Sequence, residues 1–294
     1  MISAFSSRYV DVDGGPVHVA DFGGDGPPVV CVHGLGGGHA NWASAAAGLR
    51  KLGHVTALDL PGFGLTPPGD RGSLEGLRHA IDGYLKSLGQ PAIVLGNSMG
   101  GTLSILQAAG SPETVRRLVL VSPAVPRPDG MWPDTEVMLL FSLYAVPGLA
   151  RLAMAARKAV MTPPEIARWT LDLCSARAAR IAPDVFDLHV DVARQRTDFP
   201  GVDRAQVKIA RSLLALLARK ADYDRAVATI TAPTLIIQGR QDRLVQYQST
   251  LRLASLRPDW EVELLDDVGH IAMLEVPVAF SNLVVGWASR DQAA

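Results

Sequence analysis

The most reactive arrangement in the sequence is a serine inside a glycine-rich turn. Ser98 lies in the segment GNSMGG (96–101), which follows an apolar run at 92–95 and precedes a helical pattern over 99–110. A serine between a strand and a helix sits on a sharp turn that exposes its hydroxyl. The helix N-terminus adds backbone N–H groups and a dipole that stabilise a nearby anion. This pattern predicts that Ser98 is a nucleophile.

Ser98 needs a base that takes its proton and an acid that orients the base. His270 follows the last predicted strand, and Asp242 follows the strand predicted over 234–237. The carboxyl ends of parallel strands meet at one edge of a sheet, so the three residues are expected to lie together there. We predict a catalytic triad with His270 as the base and Asp242 as its acid.

Other titratable residues compete for these roles. Asp266 and Asp267 are close to His270 in sequence, but aspartate is common in turns, and we expect both to stabilise the loop. Asp59 follows the apolar run 55–58 but precedes the serine along the chain, so a structural turn is the preferred interpretation. His189 lies among predicted helices and is expected at the surface, with a substrate contact as the alternative.

The oxygen of a tetrahedral intermediate needs two hydrogen-bond donors. We predict the N–H groups of Met99 and Leu35, with Gly36 as the second choice after Leu35. Leu35 belongs to the segment HGLGGG (33–38), whose glycines let a ligand approach the backbone. The sequence has no Gly-Lys-Ser or Gly-Lys-Thr motif, which argues against phosphate binding by this segment. The predicted substrate contacts are Gly34, Gly36, Asn97, Phe141 and Trp169.

The elements that position these residues predict an α/β fold. An antiparallel hairpin is expected around residues 13–15. Apolar runs then occur at 29–32, 55–58, 92–95, 118–121, 234–237 and 261–265, separated by helical patterns at 39–51, 74–88, 99–110, 247–256 and 277–288. Such runs suit strands buried on both faces of a parallel sheet. We therefore expect a mostly parallel central sheet with helices on both faces.

The interval 123–231 interrupts the alternation of strands and helices, because it contains helical patterns without a convincing strand. We predict a helical cap inserted into a core made of residues 1–122 and 232–294. The most apolar stretch, Val137 to Ala150, is expected to be a buried helix, with the wall of an apolar pocket as the alternative. Further pocket candidates in this interval are Trp132, Met138 and Tyr144.

The composition argues against several classes of partner. The chain has 294 residues, 28 Lys+Arg, 29 Asp+Glu and a formal net charge of −1, which gives no overall reason to expect nucleic acid or an anionic membrane. Cys31 and Cys174 show no disulfide or metal spacing. Residues 1–15 lack the apolar run of a signal peptide. We expect a cytoplasmic protein with no cofactor, no metal and no membrane span, and the oligomeric state stays open.

With these residues in place, the chain resembles the α/β-hydrolase superfamily. The resemblance covers nearly the whole chain and rests on His33-Gly34, 59–64, the Ser98 turn, 239–242, Gly269-His270 and Glu275-x-Pro277. It implies an α/β-hydrolase fold with a helical cap over the site. A serine at the turn excludes the haloalkane dehalogenases and epoxide hydrolases, which carry aspartate there.

The resemblance is less specific for substrate than for fold. The GNSMGG segment is similar to carbon–carbon hydrolases of ring-cleavage products, which are vinylogous diketo acids, and to some esterases. Those carbon–carbon hydrolases typically have tryptophan after the histidine, where this chain has Ile271, and a proline in the oxyanion segment. These departures favour a serine esterase that cleaves hydrophobic carboxylic esters through an acyl-enzyme on Ser98. The carbon–carbon hydrolase is the alternative, followed by a cofactor-free haloperoxidase or a non-catalytic binding protein.

The carbon–carbon hydrolases also use an arginine of the cap to bind the carboxylate of the substrate. The resemblance therefore implies that, in a carbon–carbon hydrolase, one arginine of the predicted cap binds the substrate carboxylate. The candidates are Arg168, Arg177, Arg180, Arg194 and Arg196.

Overall fold

An eight-stranded sheet forms the centre of the computed structural model, which describes residues 2–146, 148–196 and 199–290. The strands are β1 Ser6–Val12, β2 Gly15–Gly23, β3 Pro28–Val32, β4 His54–Asp59, β5 Ala92–Asn97, β6 Val115–Val121, β7 Thr234–Gly239 and β8 Glu261–Leu265. Their spatial order is β1-β2-β4-β3-β5-β6-β7-β8. β2 is antiparallel to β1 and β4, and the other neighbours are parallel. The predicted parallel sheet with an antiparallel hairpin at its edge is confirmed.

Helices cover both faces of this sheet. They are α1 Ala46–Leu49, α2 Leu74–Ser87, α3 Met99–Gly110, α4 Thr135–Ala145, α5 Leu149–Val160, α6 Pro163–Cys174, α7 Pro183–Arg196, α8 Val202–Ala218, α9 Lys220–Ala228, α10 Tyr247–Leu256, α11 Ala272–Glu275 and α12 Pro277–Ser289. Val30 and Val94 pack in a core with α2 and α3, whereas Cys31 and Leu95 pack in a second core with α1 and α12. Because alternate residues enter different cores, the central strands are apolar without interruption.

The continuous helix predicted over 39–51 is wrong. The segment forms a 3-10 turn, His39–Trp42, followed by the short helix α1. The backbone N–H of His39 donates to Oδ1 of Asp59 at 2.6 Å, which ties the first turn to the end of β4. A contact with a residue 20 positions away therefore decides the local structure, and local helical periodicity does not reveal it.

Helices α4 to α9 connect β6 to β7, and the described residues of the interval 123–231 contain no strand. We call this interval the inter-strand helices. The helix α7 packs against the 3-10 turn His39–Trp42, close to the glycine-rich segment 33–38. The inter-strand helices therefore approach the sheet edge at which the strands β3 and β5 end.

The stretch Val137 to Ala150 is not the buried helix that we expected. Val137 and Ala150 are buried, but Leu139 is 66% exposed, and Met138 and Leu149 are exposed as well. A helix that is apolar on all sides needs neighbours on all sides, and the main neighbours of α4 are α5 and α8. Much of its apolar surface consequently faces solvent.

Among the described residues, no single helix is both long and apolar enough to cross a membrane. Two consecutive helices, Thr135–Tyr144 and Leu149–Val160, satisfy the length and composition criteria only when taken together. The chain bends by 112° between them.

Candidate active site

Ser98 occupies the sharp turn between β5 and α3. Its backbone has φ 55° and ψ −119°, a conformation that residues other than glycine rarely adopt. The flanking glycines allow this turn, because a side-chain carbon at Gly96 would lie 2.5 Å from the carbonyl oxygen of Gly100. The N–H of Ser98 donates to the carbonyl of Val121 at 3.0 Å. The turn leaves the Ser98 side chain half-buried at the sheet edge.

His270 and Asp242 are paired beside this turn. Nδ1 of His270 lies 2.8 Å from Oδ2 of Asp242, and both side chains are buried. The amide of Asn97 donates to the carbonyls of His270, at 3.1 Å, and Val121, at 3.0 Å. The residue before the serine thus binds the histidine loop directly. The substrate contact expected of Asn97 stays a prediction, and the described hydrogen bonds of its amide hold the backbone at Val121 and His270.

Four hydrogen bonds fix the carboxylate of Asp242. Oδ1 accepts the N–H groups of Leu244 and Val245, both at 2.9 Å. Oδ2 accepts Nε2 of Gln238 at 2.9 Å in addition to the His270 ring. The arrangement holds the acid as an acceptor toward Nδ1 of His270, which leaves Nε2 as the ring nitrogen that can act as a base. No motif in the sequence singles out Gln238.

The alternative acids make ion pairs elsewhere. Asp266 pairs with Arg240, and Asp267 pairs with Arg177 and Arg180. Both aspartates lie in the loop between β8 and His270, where we expected them to stabilise the chain.

Glu275 holds the histidine loop against the inter-strand helices. Its Oε1 accepts the N–H of Gly269 at 2.7 Å, and its Oε2 accepts the N–H groups of Ala176 and Arg177 at 3.0 and 3.1 Å. The N–H of His270 donates to the carbonyl of Cys174 at 2.7 Å. Burial raises the pKa of Glu275, and the three N–H groups oppose that shift. The Glu275-x-Pro277 motif was visible in the sequence, but this contact was not.

Replacing Glu275 with glutamine is expected to lower the free energy of unfolding by about 2 kcal/mol, because hydrogen bonds to a buried charged group contribute about that much. In the glutamine variant, an NH₂ group would replace one of the two carboxylate oxygens. It would then face a backbone N–H donor instead of accepting a hydrogen bond from it. Urea unfolding measures the loss, and kcat is expected to fall because Gly269 precedes His270. Glu261→Gln, at an exposed pair with Arg290, is the matched control. Equal unfolding midpoints for the two variants would contradict this role.

The glycine-rich segment lies against the serine. A side-chain carbon at Gly34 would be 2.9 Å from Cβ of Ser98, so only glycine permits this approach. The N–H of Gly37 donates to the carbonyl of Gly34 at 3.1 Å, which closes a turn around Leu35 and Gly36. The structure therefore brings together Ser98, the start of α3 at Met99, and the Leu35 turn. This is the arrangement that an oxyanion site made of two backbone N–H groups requires.

A buried polar cluster around Asp59 binds His39, the residue that follows the glycine-rich segment. Asp59 accepts the N–H groups of His39 and Leu65, and ring nitrogens of His18 and His39 lie 2.8 and 2.9 Å from its Oδ2. Burial alone would raise the pKa of Asp59, but the two histidines and their hydrogen bonds lower it well below its usual range. The contact of Nδ1 of His39 with Oδ2 of Asp59 has hydrogen-bond geometry, and the His18 ring lies close to the same oxygen. Asp59 has the structural role that we expected.

The ring of His33 is buried and neutral, since its Nε2 accepts an N–H, and the Nε2 atom of His189 is buried as well. The N–H of Leu60 donates to Nε2 of His33 at 3.0 Å, and Nδ1 of His33 donates to the carbonyl of Gly34 at 2.7 Å. Burial lowers the pKa of both histidines to about 4. His189 was expected at the surface, but its Nε2 is fully buried in α7. Protonation of either ring inside the folded protein is therefore costly.

Acid is expected to destabilise the protein below pH 6.5. A folded-state pKa of about 4 for His33 lies below the unfolded value of 6.5, so its contribution is complete above pH 6.5 and declines as the pH falls toward 4. The loss from His33 alone is about 2 kcal/mol at pH 5, and His189 adds to it in the same direction. Urea midpoints at pH 7.5 and pH 5 measure this difference. A midpoint that does not change over this range would contradict the neutral burial of both rings.

Of the remaining predicted substrate contacts, Phe141 and Trp169 lie in the inter-strand helices, and Gly36 contacts these helices through Arg196. The carbonyl of Gly36 accepts Nη1 of Arg196 at 3.2 Å. Phe141 packs near the ring of Tyr144, with ring centres 6.2 Å apart, and Trp169 lies under the guanidinium of Arg157 at 5.3 Å. The described ring contact of Phe141 is thus within α4, and that of Trp169 is with α5.

The five candidate arginines differ in their surroundings. Arg168 stacks on the ring of Phe186 at 4.1 Å, Arg177 and Arg180 bind Asp267, and Arg194 lies 3.4 Å from Asp191. Arg196 reaches the Leu35 turn and also lines a cavity of about 750 Å³ between α5, α6, α7 and α8. Of these five, Arg196 is the one with a described contact to the glycine-rich segment.

Comparisons with known proteins agree with this geometry. Residues 27–277 match the family model described as the alpha/beta hydrolase fold. The chain is 30% identical over 301 residues to a 2-hydroxy-6-oxononadienedioate/2-hydroxy-6-oxononatrienedioate hydrolase of Cupriavidus pinatubonensis, covering 96% of this chain and 95% of that protein. A Pseudomonas protein of the same name is 30% identical over 309 residues, covering 98% of each.

Solved structures with the same fold include enzymes of more than one class. The meta-cleavage product hydrolase of Pseudomonas fluorescens IP01 has a TM-score of 0.73 and 25% identity, covering 98% of each chain. A putative lipase from Acinetobacter baumannii has a TM-score of 0.77 and 21% identity, covering 99% of this chain and 93% of that one. The second likeness extends to the fold alone.

Proposed function

This chain belongs to the α/β-hydrolase superfamily, and from that premise we propose that it hydrolyses a carbon–carbon bond in a vinylogous diketo acid. The observation that carries the proposal is full-length similarity, at 30% identity, to relatives named as hydrolases of 2-hydroxy-6-oxo dienedioic acids. The names of these relatives favour the alternative over the ester hydrolase that the sequence suggested. Ile271 and the missing proline argued for an ester, but neither residue type takes part in the bond-breaking step proposed below.

In the first step, Ser98 attacks the remote ketone of the substrate. His270 takes the hydroxyl proton at Nε2, while Asp242 stabilises the resulting imidazolium. The N–H groups of Leu35 and Met99 bind the oxygen that becomes negative. Each such donor contributes about 3 kcal/mol in other hydrolases.

In the second step, the tetrahedral intermediate collapses and the bond to the adjacent carbon breaks. The substrate reacts in its 2-keto tautomer, in which the proton of the 2-hydroxyl group has moved to the carbon beside the remote ketone. The electron pair then passes into the conjugated 2-keto acid, and His270 returns its proton to that fragment. An acyl group remains on Ser98. Water, deprotonated by His270, then attacks the acyl carbon, and the released acid leaves Ser98 with its proton restored.

We propose that the inter-strand helices act as the cap of this site. Three contacts support this role: α7 packs beside the glycine-rich segment, Cys174 binds the backbone of His270, and Glu275 joins both loops. A cap of this kind excludes water from the developing negative charge. In the same proposal, Arg196 binds a carboxylate of the substrate. Arg196 lines the cavity of about 750 Å³ and also donates a hydrogen bond to Gly36 of the glycine-rich segment.

Replacing Arg196 with methionine is expected to raise KM for the diketo acid by about 10- to 100-fold, because a charge-assisted hydrogen bond contributes about 1.5–3 kcal/mol. A neutral p-nitrophenyl ester should show no such change. Arg194→Met is the matched control, since Arg194 pairs with Asp191 on the same helix. Arg168→Met tests the candidate that stacks on the ring of Phe186. An increase in KM for Arg168→Met alone would transfer the carboxylate contact to Arg168.

The experiment that tests the proposed reaction is identification of its products. A 2-hydroxy-6-oxo dienoic acid absorbs strongly because its enol is conjugated, so cleavage is followed as loss of absorbance. Mass spectrometry is expected to find the two acids formed by addition of one water across the broken bond. Loss of absorbance without these acids would contradict the proposal.

A further inference from the structure

The helices α4 and α5, with the residues that flank them, concentrate the exposed apolar surface of this protein. Of the eleven large apolar side chains that are exposed among the described residues, seven lie between positions 132 and 160. They are Trp132, Met138, Leu139, Val146, Leu149, Leu152 and Val160. We call these seven residues the apolar corner. Exposed apolar side chains are normally scattered, so such a concentration marks an interaction surface.

Positive charge surrounds the apolar corner. The helix α5 carries Arg151, Arg157 and Lys158 and no acidic residue. Arg151 also shares a groove of about 510 Å³ with three exposed cations of α8, which are Arg204, Lys208 and Arg211. The chain-wide charge of −1 therefore conceals a strongly basic region.

Nearby carboxylates cancel only part of this positive charge. Asp203 binds Lys158 at 2.6 Å. Asp134 and Glu136, at the start of α4, both bind Arg243 at 3.2 and 2.6 Å, and Arg243 lies outside the apolar corner. Arg243 therefore offsets one of these two negative charges.

We propose that the apolar corner docks on the surface of an anionic lipid bilayer. Apolar side chains beside lysine and arginine are the composition that binds the interface of an anionic membrane. The bend of 112° between the two helices fits a hairpin that lies in the interface, since a bent pair of this kind does not form one straight span. A second copy of the same surface fits poorly, because it would bring two sets of cations together.

The test is binding to lipid vesicles, measured by co-sedimentation. The wild-type protein is expected to bind vesicles of phosphatidylcholine containing phosphatidylglycerol at least about ten-fold better than phosphatidylcholine alone, and high salt should reverse the difference. Binding is measured on Ser98→Ala as well as on the wild type. Equal binding by both proteins separates this proposal from the proposed reaction.

Two variants and one control assign the binding surface. Leu152 and Val160 are 67% and 80% exposed, so the double variant Leu152→Glu, Val160→Glu should fold normally and lose at least about ten-fold in binding. Arg151→Glu with Lys208→Glu should abolish the preference for anionic lipid. Val278→Glu, at a site 72% exposed on α12, should bind as the wild type does.

Two results would overturn the proposal. One is equal vesicle binding by the wild type and the Leu152→Glu, Val160→Glu variant, or no binding to anionic vesicles at all. The other is a wild-type dimer in sedimentation velocity that the same variant converts to a monomer, because the occupant would then be a second copy of this chain.

Discussion

Replacing Ser98 with alanine is expected to lower kcat on the diketo acid by about 10⁴- to 10⁶-fold. The proposed reaction forms a covalent bond at the serine oxygen, and no neighbouring group replaces it. The backbone donors of Leu35 and Met99 remain in the variant, so substrate should still bind. Stopped-flow absorbance measures binding and cleavage separately in one experiment.

Ser289→Ala is the matched control, because Ser289 hydrogen bonds only to Val285 in its own helix among the described contacts. This variant should retain wild-type turnover. If Ser98→Ala kept more than about a tenth of the activity, water activated by His270 would have to be the nucleophile. The acyl-enzyme mechanism would then be wrong.

Replacing Asp242 with asparagine is expected to lower kcat by about 10⁴-fold, as the equivalent change does in another triad. Two backbone N–H groups bind Oδ1, so an asparagine would keep its carbonyl oxygen there. Its NH₂ group would then face Nδ1 of His270. That donor forces the ring proton onto Nε2, and the histidine can no longer accept a proton from Ser98.

The rate of the Asp242→Asn variant should recover partly at high pH, because hydroxide can replace the missing base. Asp266→Asn, at an exposed ion pair with Arg240, is the control and should behave as the wild type. Near-wild-type turnover of Asp242→Asn at neutral pH would assign the acid role to another carboxylate.

The sheet was predictable because burial on both faces leaves a clear signal in the sequence. All six predicted parallel strands and the hairpin are present, and Ser98, Asp242 and His270 lie in the connections that follow β5, β7 and β8. The positions of the three triad residues after strands could be predicted because apolar runs and helical patterns alternate along the sequence. The pairing of His270 with Asp242 follows from topology once the strands are parallel.

Contacts between distant residues were not predictable in the same way. Gln238 and Glu275 act through hydrogen bonds to loops, and such a contact has no periodic pattern. The segment 39–51 lost its predicted helix because Asp59 binds His39. The exposure of Leu139 depends on which helices surround α4, and composition alone does not determine that.

The central claim is that this triad cleaves a carbon–carbon bond in preference to an ester. The most direct test is the ratio of kcat/KM for a 2-hydroxy-6-oxo dienoic acid to kcat/KM for a p-nitrophenyl ester of the same acyl group, measured on one preparation. We predict a ratio well above one that falls toward one in Arg196→Met. A ratio below one in the wild-type enzyme would contradict the account and restore the esterase.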